Sequence, residues 1–184
     1  TKIMMLLYAD DIVILAKTAK ELQNCLDILK DYCDTWKLKV NVNKTKLMIF
    51  RKGGRLPTNL TFKYDGQTLD IVKKFNYLGV VFTSGGSFCE SQNTLAGQGL
   101  KAIFRLKKYL YKFTYITPKH KLDLFDKLIA PILNYVSEVC GFAKDKSIER
   151  VHLQYCKKLL GVKKTTQNDF IYGELGRLDF KTTH

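Results

Sequence analysis

Residues 6–15 read LLYADDIVIL and place two adjacent aspartates, Asp10 and Asp11, in the most apolar part of the chain. The apolar runs on either side, 3–7 and 12–15, have the length and composition of short β-strands. The gap between them fits a tight hairpin loop. Because burying two neighbouring carboxylates in an apolar core is very costly, we predict that the pair lies at the tip of this hairpin, between strands that are themselves buried.

Aspartates at a hairpin tip have two interpretations. Asp is common in turns because its side chain bonds nearby backbone N–H groups, and the Asp65-Gly66 pair has the composition of such an ordinary turn. Two adjacent carboxylates also repel each other, and a hard divalent cation such as Mg²⁺ would reverse that penalty. Since adjacent strand residues point to opposite faces, we expect one of the pair, Asp10 by preference, to point squarely at the metal.

The charge of the chain favours a polyanionic partner. The 184 residues carry 31 Lys and Arg against 17 Asp and Glu, a formal net charge of +14. Two segments, 44–55 and 101–121, are rich in basic residues and contain no acidic residue. Nucleic acid is the leading candidate partner; an anionic membrane surface is the alternative, but no lipidation motif supports it.

Cysteine usage and hydropathy bear on the compartment. The five cysteines are odd in number and form no C-x-x-C pair, so we expect reduced, intracellular thiols, with Cys25 and Cys33 packed in a core. The aspartates interrupt the first apolar run, which argues against a signal peptide or a membrane span. We expect an intracellular protein of the cytoplasm or nucleus.

The first half of the chain has a mixed pattern. A helix is predicted over residues 18–36, with Thr18 and Glu21 as a capping box and an apolar face that ends at Trp36. Further strands are predicted over 38–42, 47–50, 60–64, 67–72 and 75–82, with a hairpin turn at Asp65-Gly66.

The second half reads as helical from about Glu90. Thr117-Pro118 is typical of a helix start, and Pro131 should kink or divide the helix that follows. Ser147 can cap a third helix that stops at Gly161. The pattern predicts an α+β protein, mixed over residues 1–87 and helical beyond.

Three motifs together resemble one family. Tyr8-Ala9-Asp10-Asp11 between apolar strands resembles the Y-x-D-D motif of reverse transcriptases. Residues 41–46, NVNKTK, resemble the N-x-x-K-T segment, and residues 75–80, FNYLGV, are similar to the F-x-Y-L-G primer-grip hairpin. The order and spacing fit the LINE-type, non-LTR retrotransposon enzymes over most of the chain, to about Leu178. The resemblance implies a partial polymerase palm of antiparallel hairpins plus a helix over 1–87, and an all-helical thumb-like region over 88–184.

The resemblance also implies roles for particular residues. Asp10 and Asp11 would hold Mg²⁺, for which Mn²⁺ can substitute, and Tyr8 would lie near the primer. Lys44 would neutralise or protonate the departing pyrophosphate, with Lys46 as its rival; a solvated turn is the alternative for both. The primer grip would be shaped by Phe75, Tyr77, Leu78 and Gly79, although core packing is the favoured interpretation for Phe75 and Leu78.

Basic residues recur at helical intervals in the segment after Leu100. Arg105, Lys108 and Lys112 lie at helical intervals and could follow a phosphate backbone. Tyr109, Tyr111 and Tyr115 interleave with them, either to pack on sugars or to complete a core. The implied partners are an RNA template with a DNA primer, or the RNA–DNA hybrid, and deoxynucleoside triphosphates in the complete enzyme; no membrane partner is expected.

The family's metal site takes a third carboxylate from an earlier palm strand, and the printed sequence starts only seven residues before Tyr8. We therefore expect a fragment of an RNA-directed DNA polymerase that does not polymerise DNA as this chain alone. A non-catalytic basic remnant that binds nucleic acid or protein is the main alternative. A metal-binding turn in an unrelated α/β protein is a weaker one.

Overall fold

The fold is α+β, with small two-stranded sheets followed by helices. The computed structural model describes residues 4–54, 60–110, 115–135, 137–140 and 146–180. The chain divides into two compact units: Thr1–Phe75 with Ser84–Gly86, and Asn76–Thr83 with Ser87–His184. We call these unit 1 and unit 2.

The strands are short and pair locally. They are β1 (Met4–Tyr8), β2 (Asp11–Leu15), β3 (Lys46–Leu47), β4 (Lys63–Tyr64), β5 (Gln67–Thr68), β6 (Asp70–Ile71), β7 (Lys74–Tyr77) and β8 (Val80–Thr83). The pairs β1–β2 and β4–β5 are antiparallel, β3 pairs with β6 in parallel, and β7 pairs with β8. Asp65 and Gly66 both have positive φ, 49° and 72°, the requirement of a two-residue hairpin turn. Both predicted hairpins are thus confirmed.

Helix α1 (Ala19–Thr35) begins where its capping residue predicts. The Glu21 N–H donates to Thr18 Oγ1 at 3.2 Å, and Glu21 Oε2 accepts from the Lys17 N–H at 3.1 Å. The reciprocal bond of the capping box therefore goes to the residue before the cap. Cys25 and Cys33 are buried on the inner face, as expected.

Several local predictions in the first half are wrong, among them the single strand at 67–72, which is divided into β5 and β6. Trp36 is 64% exposed and lies at the C-cap of α1, beyond the buried face. Residues 38–42 form no strand, although Val40 and Val42 still pack on the core of unit 1. The apolar run 47–50 contributes only Leu47 to a strand, because β3 is two residues long. Residues 75–82 are divided by a turn at 78–79 instead of forming one strand.

The core of unit 1 is small. Its buried side chains are Leu26, Leu47, Phe62, Tyr64 and Leu69. Burial raises the pKa of Tyr64 to about 12, so this phenol stays protonated in the core. Since these residues come from α1 and from β3 to β6 and their loops, the core fixes the position of the segment that carries Lys44 and Lys46.

Helices make up most of unit 2. They are α2 (Cys89–Leu110), α3 (Pro118–Leu128), α4 (Ala130–Leu133), α5 (Ser137–Cys140), α6 (Lys146–Leu160) and α7 (Asn168–Leu175). Thr117 Oγ1 accepts from the His120 N–H at the start of α3, and Pro131 lies in the first turn of α4, so both predicted boundaries are confirmed. Ser147 lies inside the first turn of α6 and is not its cap, whereas Gly161 ends that helix with φ +68° as expected. No described helix is long and apolar enough to cross a membrane.

The core of unit 2 forms where α2, α3, α4 and α6 meet. Phe125, Ile129 and Leu133 are almost completely buried, together with Val151 of α6. The Tyr155 hydroxyl donates to the Lys121 carbonyl at 2.6 Å, and burial raises the pKa of this tyrosine to about 12. Burial likewise raises the pKa of the Cys156 thiol to about 11, so Cys156 is a packing residue and not a nucleophile.

Gly99 permits the closest approach in this core. A Cβ atom added there would lie 2.6 Å from Leu133 Cδ2 and 3.6 Å from Val151 Cγ1. Gly97, two residues earlier in the same helix, has nothing within 4 Å of the corresponding position. The two glycines therefore have the same helical backbone conformation but differ in the room available for a side chain.

We predict that Gly99→Ala lowers the free energy of unfolding by about 1–3 kcal/mol, because the added methyl overpacks the contact with Leu133. Gly97→Ala is the matched control and should stabilise by up to about 1 kcal/mol through helix propensity. Urea unfolding followed by circular dichroism measures both. Equal effects of the two substitutions would contradict the packing.

Candidate functional site

The two aspartates lie at the end of the first hairpin. Tyr8 and Asp11 are paired across β1 and β2, so Ala9 and Asp10 alone form the turn. Ala9 has φ +52°, a left-handed conformation that costs an L-residue roughly 1–2 kcal/mol. Strain of this kind persists only where the surrounding pairing enforces it. Five paired positions of the hairpin supply that enforcement.

The expectation that the hairpin strands are buried is wrong for the described residues. Leu7 is 65% exposed and Tyr8 is 63% exposed, and Val13 and Ile14 are only half-buried. Asp10 and Asp11 are themselves exposed. The pair therefore avoids the desolvation penalty altogether, and its carboxylates are available to a ligand.

The hairpin register decides which side chains share a face. Residues directly opposite in an antiparallel pair project to the same side, so Tyr8 and Asp11 lie on one face of the hairpin. Asp10 belongs to the turn and escapes the alternation expected for neighbouring strand residues. Exposed carboxylate oxygens are the ligands that Mg²⁺ prefers, usually with retained waters. Among the described residues no cluster of three or more acidic, His or Cys side chains forms a complete metal site, so this pair could be only part of one.

Lys44 and Lys46 differ in their surroundings. The turn at 41–45 is closed by the Lys44 N–H donating to the Asn41 carbonyl at 3.1 Å and by the Thr45 hydroxyl donating to the same oxygen at 2.9 Å. This turn leaves Lys44 exposed. Lys46 instead has its Nζ 2.6 Å from Asp70 Oδ2, and its side chain is 26% exposed. The ion pair offsets the charge of Lys46 and leaves Lys44 as the better cation for a phosphate ligand.

The second hairpin, β7–β8, carries the four residues expected to shape a primer grip. Its turn consists of Leu78 and Gly79, both with positive φ, 49° and 79°. Phe75 and Leu78 are each 37% exposed and Tyr77 is half-buried. The core packing favoured for Phe75 and Leu78 is therefore not what the structure shows.

Tyr135, which the sequence did not single out, holds this turn from within unit 2. Its hydroxyl donates to the Leu78 carbonyl at 3.0 Å. Its ring lies against Gly79, where an added Cβ would be 3.1 Å from Tyr135 Cε1. Gly79 is thus required both by its φ and by the ring. The 57-residue separation explains why no local sequence signal identified the contact.

The basic half of α2 is exposed. Arg105 and Lys108 are both exposed at helical spacing, and Phe104 beside them is 74% exposed. Tyr109 and Tyr115 are also exposed, so they do not complete a core. Lys112 and Tyr111 lie outside the described residues. The face formed by Phe104, Arg105 and Lys108, together with Lys101 one turn earlier, combines cations with an aromatic ring, a combination used to bind nucleic acid.

The first half of the chain is similar to a known family. The sequence model of the family described as reverse transcriptase (RNA-dependent DNA polymerase) matches residues 1–82. This segment contains the Asp10-Asp11 hairpin and the β7–β8 hairpin, and over it the chain is similar to reverse transcriptases. The resemblance expected from the three motifs is confirmed.

Individual relatives extend the similarity beyond residue 82. The chain is 25% identical over 158 residues to a protein of Drosophila melanogaster described as an RNA-directed DNA polymerase from transposon BS, covering 83% of this chain and 17% of the relative. It is 23% identical over 164 residues to the RNA-directed DNA polymerase from mobile element jockey of Drosophila funebris, covering 86% and 18%. An uncharacterized transposon-derived protein of Caenorhabditis elegans is 28% identical over 167 residues, covering 88% of this chain and 58% of the relative.

The chain therefore spans less than a fifth of the length of the two polymerases it matches. No solved structure matches it.

We predict that Tyr135→Phe loosens the turn of the second hairpin, because it removes the hydrogen bond to Leu78 while keeping the ring against Gly79. The loss should be about 1 kcal/mol. Hydrogen exchange with mass spectrometry should show faster exchange in the 76–83 segment and no change in α1, which serves as the internal reference. Unchanged exchange in 76–83 would show that Tyr135 does not hold the turn.

Proposed function

We propose that this chain is the later palm and the thumb of a LINE-type retrotransposon enzyme, an RNA-directed DNA polymerase that as a complete protein extends a DNA primer on an RNA template. The observation that supports it most is the hairpin that places Asp10 in an exposed two-residue turn and Asp11 directly after it, within the segment matched by the reverse transcriptase family model. Residues 1–87 would belong to the palm and residues 88–184 to the thumb.

Asp10 and Asp11 are proposed to hold Mg²⁺, for which Mn²⁺ can substitute. Two unit charges about 4 Å apart repel by about 4 kcal/mol at an effective dielectric near 20, and a divalent cation offsets this. When bound, the cation neutralises charge on the transferring phosphoryl group. Tyr8, on the same hairpin face as Asp11, is proposed to contact the primer end. The third carboxylate of the family's site would come from an earlier palm strand.

Lys44 is proposed to neutralise or protonate the departing pyrophosphate. Its exposure and the pairing of Lys46 with Asp70 support this choice. Lys46 would then be mainly a structural residue, because its ion pair with Asp70 links β3 to β6 at the position where these two residues are paired. An ammonium group suits this role because it is a compact, mobile cation that binds phosphate as a point charge.

The second hairpin and α2 are proposed to hold the nucleic acid. Phe75, Tyr77, Leu78 and Gly79 would shape the primer grip, with Tyr135 as the residue that positions its turn. Arg105 and Lys108, with Lys112, would contact the phosphates of the RNA–DNA hybrid, and the exposed Phe104 would pack on a sugar or base. Deoxynucleoside triphosphates are the second substrate of the complete enzyme.

A non-catalytic module that binds nucleic acid is the second candidate. The net charge of +14 and the exposed face of α2 support binding without any need for the carboxylates. The two candidates differ in whether Asp10 and Asp11 matter, because neither residue carries positive charge that could contact a phosphate.

We predict that Asp10→Asn or Asp11→Asn, introduced into a polymerase that contains this segment, lowers templated primer extension by roughly a hundredfold or more. Each substitution replaces an anionic ligand by a neutral amide and so weakens the binding of a cation proposed to contribute several kcal/mol to the transition state. Binding of an RNA–DNA hybrid should stay nearly unchanged. The matched control is Asp31→Asn, which neutralises an exposed carboxylate on α1 and should leave extension intact.

Two results would contradict the proposal. If Asp10→Asn and Asp11→Asn left primer extension unaffected, the hairpin would not be the metal site. If the 184 residues alone extended a primer with Mg²⁺, the expectation that the earlier palm strand is needed would be wrong.

A further inference from the structure

A second basic surface lies on α6 and the turn after it, outside the residues that the sequence motifs identified. Residues 146–164 contain six basic side chains and a single acidic one, Glu149. The basic side chains are Lys146, Arg150, Lys157, Lys158, Lys163 and Lys164. We call this surface the α6 basic face.

Three of the four basic residues of α6 lie opposite the side that carries the buried Val151 and Tyr155. At 100° per residue, Lys146, Arg150 and Lys157 fall within an arc of about 40°. The buried residues Val151 and Tyr155 lie on the other side of the helix, where they pack into the core of unit 2. The three cations therefore form a line about 17 Å long on the outer side.

The acid of this segment is withdrawn from the surface. The Glu149 side chain is 18% exposed. Its Oε1 accepts a hydrogen bond from the Tyr172 hydroxyl, and its Oε2 accepts from the Phe180 N–H at 2.9 Å. Because the acid is used inside the fold, nothing within residues 146–164 offsets the positive charge outside.

Helix stability explains only part of this charge. Lys157 and Lys158 lie in the last turn of α6, where cations stabilise the helix dipole, and Lys157 Nζ also donates to the Lys164 carbonyl at 2.9 Å. Lys146 lies in the first turn, where a cation opposes the dipole. Arg150 is exposed near the middle, where the dipole has little effect. The helix dipole therefore gives no reason for Lys146 and Arg150.

We propose that the α6 basic face binds the phosphate backbone of a nucleic-acid duplex, as a second contact besides the face on α2. A line of cations suits a phosphate strand, which is a line of single charges, and such contacts carry no base specificity. An anionic membrane fits less well, because interfacial helices insert large apolar side chains. None of the large apolar side chains of residues 146–164 is among the exposed ones.

The inference rests on the nucleic-acid binding proposed for the chain, and the experiment separates the two. A labelled RNA–DNA hybrid is titrated with the 184-residue chain at several KCl concentrations between 50 and 300 mM. The Debye length shortens across this range, and fluorescence anisotropy is the readout. The test variant is Lys146→Gln with Arg150→Gln, and the comparison variant is Arg105→Gln with Lys108→Gln.

The α6 variant should reduce the slope of log K against log salt by about 1.8, since each phosphate contact contributes about 0.9. The α2 variant should reduce it by a similar amount. The control, Lys20→Gln with Lys39→Gln, removes the same charge from exposed positions in unit 1 and should leave the slope unchanged. A second test variant, Lys163→Gln with Lys164→Gln, lies outside the helix and should also reduce the slope even if the first variant unfolds.

Three results would contradict one of the proposals. If neither α6-face variant changes the slope while the α2 variant does, the α6 basic face does not bind and the proposed function stands. If the unmodified chain fails to bind the hybrid at 50 mM KCl, the nucleic-acid function itself is wrong. If vesicles containing phosphatidylserine bind more tightly than the hybrid and the α6-face variants weaken that binding, the face is a membrane surface.

Discussion

The site depends on the pairing of Tyr8 with Asp11. Once these two residues are opposite each other in an antiparallel ladder, only Ala9 and Asp10 remain to reverse the chain. The turn then forces Ala9 into a left-handed conformation, and the cost is covered by the pairing of the two strands. The same constraint places Asp10 at the tip and Asp11 beside Tyr8, with both carboxylates in solvent. The short turn thus presents two carboxylates to a ligand without the cost of desolvating two charges, which a buried site would carry.

Several of the other acidic side chains are paired within the fold, while cations on the basic helices stay exposed. Lys30 Nζ lies 2.7 Å from Asp34 Oδ2 and 3.3 Å from Asp65 Oδ1. The hydrogen bonds to Asp34 and to Asp65 raise the pKa of Lys30 above its usual value. Glu149 is withdrawn into unit 2 by two hydrogen bonds. The consequence is a chain whose exposed basic helices carry little compensating charge, which is what an electrostatic interaction with a polyanion requires.

Much of the fold could be predicted from the sequence because its signals are local. The hairpin at Asp10-Asp11, the Asp65-Gly66 turn and the cap at Thr18 each depend on residues within four positions of one another, so short-range pattern is sufficient. The predicted strand at 38–42 is wrong because alternation shows only which side chains are apolar, and Val40 pairs with no neighbouring strand there although it packs on the core.

Two arrangements that the sequence did not reveal depend on contacts between residues far apart in the chain. Tyr135 reaches Leu78 across 57 residues, and the inward position of Glu149 is set by Tyr172 and Phe180. Neither could be read from spacing, since both depend on how the helices of unit 2 pack. The exposure of the first hairpin could not be predicted either, because the sequence of an apolar strand does not show whether another element packs against it.

The central claim is that Asp10 and Asp11 bind a divalent cation at the hairpin turn. Mn²⁺ broadens the NMR signals of nuclei close to where it binds, so a titration of the ¹⁵N-labelled chain tests the claim directly. The account predicts that the amide signals of residues 8–12 broaden first, and that Asp10→Asn with Asp11→Asn abolishes this while Asp31→Asn does not. Broadening that starts elsewhere, or that persists in the double variant, would contradict it.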